Sequence, residues 1–251
     1  MQLGARDRAI LRDVVCFGAL TIEQIARRHF GAKITAYKRL ERLADGGYVK
    51  LLRWWVRGAG VYVATPLGAR AIGWPPTAAR VEVGSLPHDL GVVDLAEWLL
   101  QRYAGATWRT ERELRQEALE AVRGERRGWV LTGYGHVPDG ALVRGKVRIA
   151  IELELTPKRS KRYEDILTGY ASSLAYRQVW WFVGPQALRA RIECVVERLQ
   201  LGDLVQVHGV PEAVQVAQWF PSKGKTISDE RVVKRSRRLA RPLAKPRNDI
   251  R

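Results

Sequence analysis

The sequence is poor in cysteine and has no long apolar run. Its 251 residues include two cysteines, Cys16 and Cys194, too few for a disulfide framework or a cysteine-based zinc site. Both lie in apolar helical contexts, so we expect them to be core residues. No apolar stretch approaches the length of a membrane span, and the charged N-terminus lacks the pattern of a signal peptide. The sequence therefore predicts a cytoplasmic protein that does not enter a membrane.

Acidic residues are scarce relative to basic ones. Lys and Arg total 43 against 26 Asp and Glu, which gives a net charge of +17. Such an excess favours binding to a polyanion, most often nucleic acid, and solubilising surface charge is the alternative. Hydrophobic residues make up 46% of the chain, enough to bury a core.

Residues 1–73 have the pattern of short helices followed by a β-hairpin. Thr21 and Gln24 have the spacing of a capping box at the start of the second helix. The third helix has an apolar side made of Ala36, Leu40 and Leu43. Its opposite arc is polar and basic: Thr35, Lys38, Arg39 and Arg42. Two β-rich runs then flank a glycine-containing turn that includes Arg57.

This order resembles a winged helix-turn-helix domain. The resemblance implies that the third helix enters the major groove of double-stranded DNA and that the hairpin contacts the backbone or the minor groove. It places five residues at the DNA: Thr35, Lys38, Arg39, Arg42 and Arg57. A winged helix used only for protein contacts is the alternative. The basic outer face argues against that alternative, because contacts to phosphates need cations.

The rest of the chain divides into a linker, a second domain and a tail. Two prolines interrupt helical periodicity in residues 74–86, which we interpret as a linker. Residues 87–221 have the order α-β-β-β-α-β, followed by a further helix and a short strand. Residues 106–115 fit a strand and residues 112–122 fit a helix equally well. Residues 222–251 are rich in Lys and Arg without aromatics, which predicts a disordered basic tail.

Three acids lie in or beside two predicted strands of the second domain. Side chains alternate between the faces of a strand, so Glu152 and Glu154 share one face and the apolar residues between and around them share the other. A turn at Arg144 and Gly145 brings Asp139 opposite residues 150–152. Converging carboxylates at a sheet edge suit Mg²⁺ or Mn²⁺, which can activate water for attack on a phosphodiester. The alternative is a solvated face beside an ordinary Pro-Asp-Gly turn.

These acids, in this order of elements, resemble the PD-(D/E)XK nuclease superfamily. Asp139 and Glu152 match its two acids, whereas Glu154 stands where the superfamily usually has lysine. The resemblance implies a metal site formed by Asp139, Glu152 and Glu154. It also implies that Lys158 or Lys161 supplies the missing cation. A further acid is often present on the first helix of the superfamily, and the candidates are Asp94, Glu97 and Glu111.

The whole layout resembles the replication-relaxation proteins of plasmids and conjugative elements. The segments that support the likeness are "LPHDLGVVDLAEWL", "WRTERELR", "PDG" and "ELTPK" followed by "RYEDIL". His88 matches a histidine position in such proteins, although an ordinary residue at a helix start is the equal alternative. Tyr163 and Tyr170 have helical spacing, so we interpret them as packing residues rather than nucleophiles.

The resemblance implies one of three functions in mobile-element replication or mobilisation. The first is a Mg²⁺- or Mn²⁺-dependent endonuclease or nickase that binds double-stranded DNA. The second is an inactive nuclease fold, without a metal, that serves as a DNA-binding accessory factor or transcriptional regulator. The third is a protein that recruits a relaxase, helicase or replication protein. Cleavage that is lost in Asp139→Ala would distinguish the first from the others.

Overall fold

The computed structural model describes residues 2–53, 60–75, 81–123 and 136–214, which form a mixed α/β structure. All of these described residues belong to one compact unit within residues 1–216. Arg57 and the predicted tail lie outside the described residues. The domain limits expected from the sequence stay predictions.

The N-terminal part consists of helices and a small antiparallel sheet. Its elements are α1 (Ala5–Phe17), β1 (Leu20–Thr21), α2 (Ile22–His29), α3 (Lys33–Asp45), β2 (Val49–Leu52), β3 (Val61–Ala64) and α4 (Pro66–Ala71). The strand order is β1-β3-β2, so the predicted hairpin pairs as expected and β1 extends it.

Local sequence signals determine where these helices start and which side they bury. The capping box at α2 is confirmed, because Thr21 Oγ1 accepts a hydrogen bond from Gln24 N and Gln24 Oε1 accepts one from Thr21 N. The apolar side of α3 is also confirmed, since Ala36, Leu40 and Leu43 are fully buried.

The second part is built on a five-stranded mixed sheet. Its elements are α5 (Leu86–Arg102), β4 (Thr107–Thr110), α6 (Glu111–Arg123), β5 (Gly140–Arg144), β6 (Val147–Glu154), α7 (Ser160–Ala171), β7 (Gln178–Val183), α8 (Gln186–Arg198) and β8 (Val205–Gly209). The strand order is β4-β5-β6-β7-β8. The pairs β4–β5 and β5–β6 are antiparallel, and the pairs β6–β7 and β7–β8 are parallel.

Helices cover both faces of this sheet, and β6 alternates between the two cores. On one face, Ala150 of β6 packs in the same cluster as Tyr163 of α7 and Ile192 of α8. On the other face, Ile151 and Leu153 join the apolar side of α5. The predicted alternation along β6 is therefore confirmed.

Three sequence expectations need correction. The ambiguous segment contains both structures, a strand that ends at Thr110 and a helix that starts at Glu111, so α6 is an addition to the predicted order. The helical spacing that links Tyr163 and Tyr170 extends in the sequence to Leu174 and predicts it on the buried side of α7, but the helix ends at Ala171 and Leu174 is 98% exposed. Cys16 is buried as expected, whereas Cys194 is exposed because it lies on the outer side of α8. Among the described residues, no helix is long and apolar enough to cross a membrane.

Candidate active site

Asp139 lies immediately before β5, at the point where β5 and β6 bring it level with Glu152. The strands pair Gly140 with Ile151, so the next position outward places Asp139 opposite Glu152, as the sequence predicted. Asp139 Oδ2 accepts a hydrogen bond from Leu153 N at 2.8 Å. The carboxylate is thus held by the backbone of β6 itself.

His88 of α5 is the second partner of Asp139. Its Nε2 lies 3.1 Å from Asp139 Oδ2 and 2.9 Å from the carbonyl oxygen of Leu153. Burial disfavours the charged form of each group, but the attraction between them is stronger. It lowers the pKa of Asp139 and raises the pKa of His88 to about 11. At neutral pH the two form an imidazolium–carboxylate pair.

Glu152 is 4% exposed and lies in a different environment. Its Oε1 is 2.7 Å from His136 Nε2 and also accepts a hydrogen bond from the hydroxyl of Tyr170. Burial and the negative charge of Asp139 raise the pKa of Glu152, although the bonds from His136 and Tyr170 oppose this rise. The pKa values of the two opposed carboxyls are therefore shifted in opposite directions, and Asp139 remains ionised to lower pH than Glu152.

Glu154 is also buried, but a lysine already binds it. Its Oε2 accepts a hydrogen bond from Lys158 Nζ at 2.6 Å. Burial raises the pKa of Glu154, and the pair with Lys158 partly offsets that rise. Lys158 therefore lies beside these acids. Lys161 does not, because its side chain is 83% exposed and its Nζ lies 3.7 Å from Asp165.

The three other acids proposed for the first helix and its neighbour are not brought to this site. Asp94 and Glu97 of α5 bind Arg27 of α2, and Glu111 pairs with Arg115 one turn along α6.

Two oxygen atoms remain available for a metal ion. Asp139 Oδ1 and Glu152 Oε2 accept no hydrogen bond from another residue in the described part of the chain. Carboxylate oxygens are the ligands that Mg²⁺ and Mn²⁺ prefer, and Mg²⁺ often takes one or two with water and phosphate. Within the described ranges, no group of three or more His, Cys, Asp and Glu side chains is arranged to hold a metal ion. A site formed by the protein would thus rest on Asp139 and Glu152.

Three of the predicted DNA-contacting residues of α3 point to solvent. Thr35, Lys38 and Arg42 are exposed. Arg39 instead forms an ion pair with the buried carboxylate of Asp7 on α1. The hydrogen bond from Arg39 lowers the pKa of Asp7 against the opposing effect of burial. Arg39 thus holds α3 against α1.

Sequence reasoning missed two residues of the acidic site. His136 stands three residues before Asp139, and this proximity in "HVPD" was the available signal. Tyr170 was interpreted as a packing residue, and its ring does lie edge-on to Tyr176. Its hydroxyl nevertheless bonds to Glu152. No periodicity argument separates these two roles, because both need the same side of α7.

The fold and this site define a mixed α/β protein with a partly buried acid–histidine centre at the end of its main sheet, preceded by a helical unit with a small sheet. The replication-relaxation family model matches residues 11–181, more than half of the chain, and the chain therefore belongs to the replication-relaxation family. Membership suggests a role in the replication or relaxation of plasmid or other mobile-element DNA. No curated protein and no solved structure matches the chain significantly.

Proposed function

We propose that this protein nicks or cleaves mobile-element DNA in a Mg²⁺- or Mn²⁺-dependent reaction. The observation that supports the proposal most directly is the opposition of Asp139 and Glu152 across β5 and β6, each with one carboxylate oxygen free among the described residues. The order of α5 and the five strands is compatible with a PD-(D/E)XK-like domain that has α6 as an insertion.

The N-terminal part is proposed to bind double-stranded DNA as a winged helix-turn-helix. Its order of three helices with a short first strand, followed by two antiparallel strands, supports this. The outer side of α3 presents Lys38 and Arg42 to solvent, where they can contact phosphates. Arg39 is not needed for this surface.

In the proposed site, Asp139 and Glu152 would hold the metal ion. When bound, the ion would activate water and neutralise charge that develops on the phosphodiester. His88 and Leu153 N orient the Asp139 carboxylate, while His136 and Tyr170 orient that of Glu152. Lys158 is the nearby cation that can turn from Glu154 to the phosphate, since its side chain is about half exposed.

A second candidate function is that of a DNA-binding accessory factor with an inactive nuclease fold. Two observations favour it. Glu154 occupies the usual lysine position and binds Lys158, and the His88 imidazolium already neutralises Asp139. In that case the acids stabilise the sheet and hold no metal.

Calorimetry with Mg²⁺ and Mn²⁺, followed by plasmid nicking on the same samples, tests both candidates. We expect metal binding and nicking by the wild type, and loss of both in Asp139→Ala and Glu152→Ala. Asp165→Asn is the matched control, because it removes a more exposed carboxylate on α7 away from the site. Salt-sensitive DNA binding without metal binding or nicking in the wild type would overturn the nuclease proposal and support the accessory role.

A further inference from the structure

A polar network joins α2 to α5 between the N-terminal helices and the main sheet. Asp94 of α5 has a side chain that is 4% exposed, and its Oδ1 accepts hydrogen bonds from Gln24 Nε2 at 3.0 Å and Arg27 Nη2 at 2.6 Å. Gln24 Nε2 also donates to the carbonyl oxygen of Leu90 at 2.9 Å. Arg27 extends the network to Glu97. Two donors on α2 therefore bind one buried carboxylate on α5.

The geometry of this network leaves Gln24 little freedom. Its amide oxygen closes the capping box with Thr21, and its amide nitrogen binds α5. An amide has one oxygen and one nitrogen, so rotation of this side chain would break both sets of bonds. The same residue thus defines the start of α2 and its contact with α5.

Apolar packing makes α5 a member of two cores at once. Val93 is fully buried within the cluster formed by α1, α2 and α3. Leu95 and Leu99 of the same helix are fully buried in the cluster that covers the main sheet. A single rigid helix is thus shared by the N-terminal helices and the sheet.

Helix α5 also links this contact to the acidic site. His88, the partner of Asp139, stands six residues before Asp94 on α5. At a rise of about 1.5 Å per residue, the two residues are separated by about 9 Å along the helix axis.

A second contact, between α6 and α1, restrains rotation of the N-terminal helices about α5. Arg112 Nη1 of α6 donates a hydrogen bond to the carbonyl oxygen of Val15 at 3.2 Å, near the end of α1. Its guanidinium lies against Gly18, where an added Cβ would be 2.8 Å from Nη2. Two attachment points on different helices restrict hinge motion more than one does.

From these contacts we infer that Gln24, Arg27 and Asp94 are positioning residues that hold the N-terminal helices, α3 among them, at a fixed distance and angle from the acidic site. The protein would then cut DNA at a constant offset from the sequence bound by its N-terminal part. The statement about cutting rests on the proposed function, whereas the rigid attachment does not. Halves joined only by a flexible linker would instead give variable offsets.

Pulsed electron paramagnetic resonance tests the attachment without any activity. Cys194 on α8 is exposed and Cys16 is buried, so a nitroxide label can be attached to native Cys194. The second label is introduced through Glu41→Cys on the exposed side of α3. The labelled Glu41→Cys protein, otherwise wild type, should show one narrow distance distribution between the labels. Asp94→Ala should lose this narrow distribution and show a broad one.

Three further variants separate positioning from general destabilisation. Asp94→Asn keeps an oxygen that can accept from Gln24, so it should restore much of the narrow distribution. Arg27→Gln removes a half-exposed side chain and provides a folded variant if Asp94→Ala does not fold. Glu164→Gln is the control, because it removes a surface ion pair with Arg198 between α7 and α8. A distribution in folded Arg27→Gln and Asp94→Ala as narrow as that of Glu164→Gln would overturn the inference.

The predicted constant offset of cutting is tested by mapping nick positions on a plasmid that carries DNA of the mobile element. Wild type and Glu164→Gln should cut at one position, and Asp94→Ala should cut at several with its DNA binding retained. A broad label distribution together with a single cut position would overturn the role in specificity. If the wild type does not cut at all, the proposed nuclease function fails, while the label distances still decide the rigid attachment.

Discussion

Gly140, the first residue of β5, leaves no room for a side chain. A Cβ added there would lie 2.0 Å from Cζ2 and 2.5 Å from Cε2 of Trp108 on the neighbouring strand. Carbon atoms pack at about 3.5–4.0 Å, so the indole ring would have to move by more than 1 Å. Overpacking of a core costs about 1–3 kcal/mol, and this overlap with a rigid ring places Gly140→Ala near 3 kcal/mol. For a domain of this size, the melting temperature should fall by about 6–12 °C.

Thermal unfolding of Gly140→Ala beside Gly184→Ala is the measurement. At Gly184 an added Cβ would be 3.6 Å from Leu155 Cδ2, an ordinary contact, so this control should change stability by less than about 0.5 kcal/mol. A second variant that combines Gly140→Ala with Trp108→Leu should regain part of the loss. Equal melting temperatures for the two single variants would refute the packing argument. Packing against Trp108 would then not explain why the residue after Asp139 is glycine.

Three other predictions concern charges at the site and at the proposed DNA surface. Arg42→Ala should weaken DNA binding and reduce the slope of log affinity against log salt concentration by about 1 in magnitude, as measured by fluorescence anisotropy over a salt series. An unchanged slope would show that Arg42 does not contact DNA phosphates. Tyr170→Phe removes a hydrogen bond that lowers the pKa of Glu152, so that pKa should rise further and the midpoint of Mg²⁺ binding should move to higher pH in calorimetry. A midpoint that does not move would contradict this assignment. Folding raises the pKa of His88 from 6.5 to about 11. While Asp139 is ionised, the pair therefore contributes its full stability below pH 6.5 and loses it as pH rises through about 11. The unfolding free energy of the wild type should therefore fall more steeply with pH over this range than that of His88→Gln. Urea titrations at several pH values measure both free energies, and an equal dependence on pH in the two proteins would refute the pairing.

Features that depend on neighbouring residues were predictable. The capping box of Thr21 and Gln24 involves residues three positions apart, and the apolar side of α3 follows from a period of 3.6 residues. The alternation along β6 and its pairing with β5 follow from strand geometry and a short turn. These signals were enough to place Asp139 opposite Glu152.

Residues whose partners are distant in the chain were not predictable in the same way. Arg39 shares the polar arc of α3 with Lys38 and Arg42, yet Asp7 on another helix binds it. Lys161 lies in the same basic segment as Lys158, but its exposed side chain lies near Asp165 rather than near Glu152 or Glu154. Spacing along a helix gives the direction of a side chain but not what lies opposite.

Composition and local periodicity were sufficient to predict the basic character of the protein, most of its helices and strands, and the strand positions of its acids. The positions of His88, His136 and Tyr170 around those acids depend on the fold, since these residues come from three separate segments. The fold also decided that Asp94 binds Arg27 rather than joining the site. The physical reason is that a buried charge needs a partner, and the fold determines which distant residue is close enough to provide it.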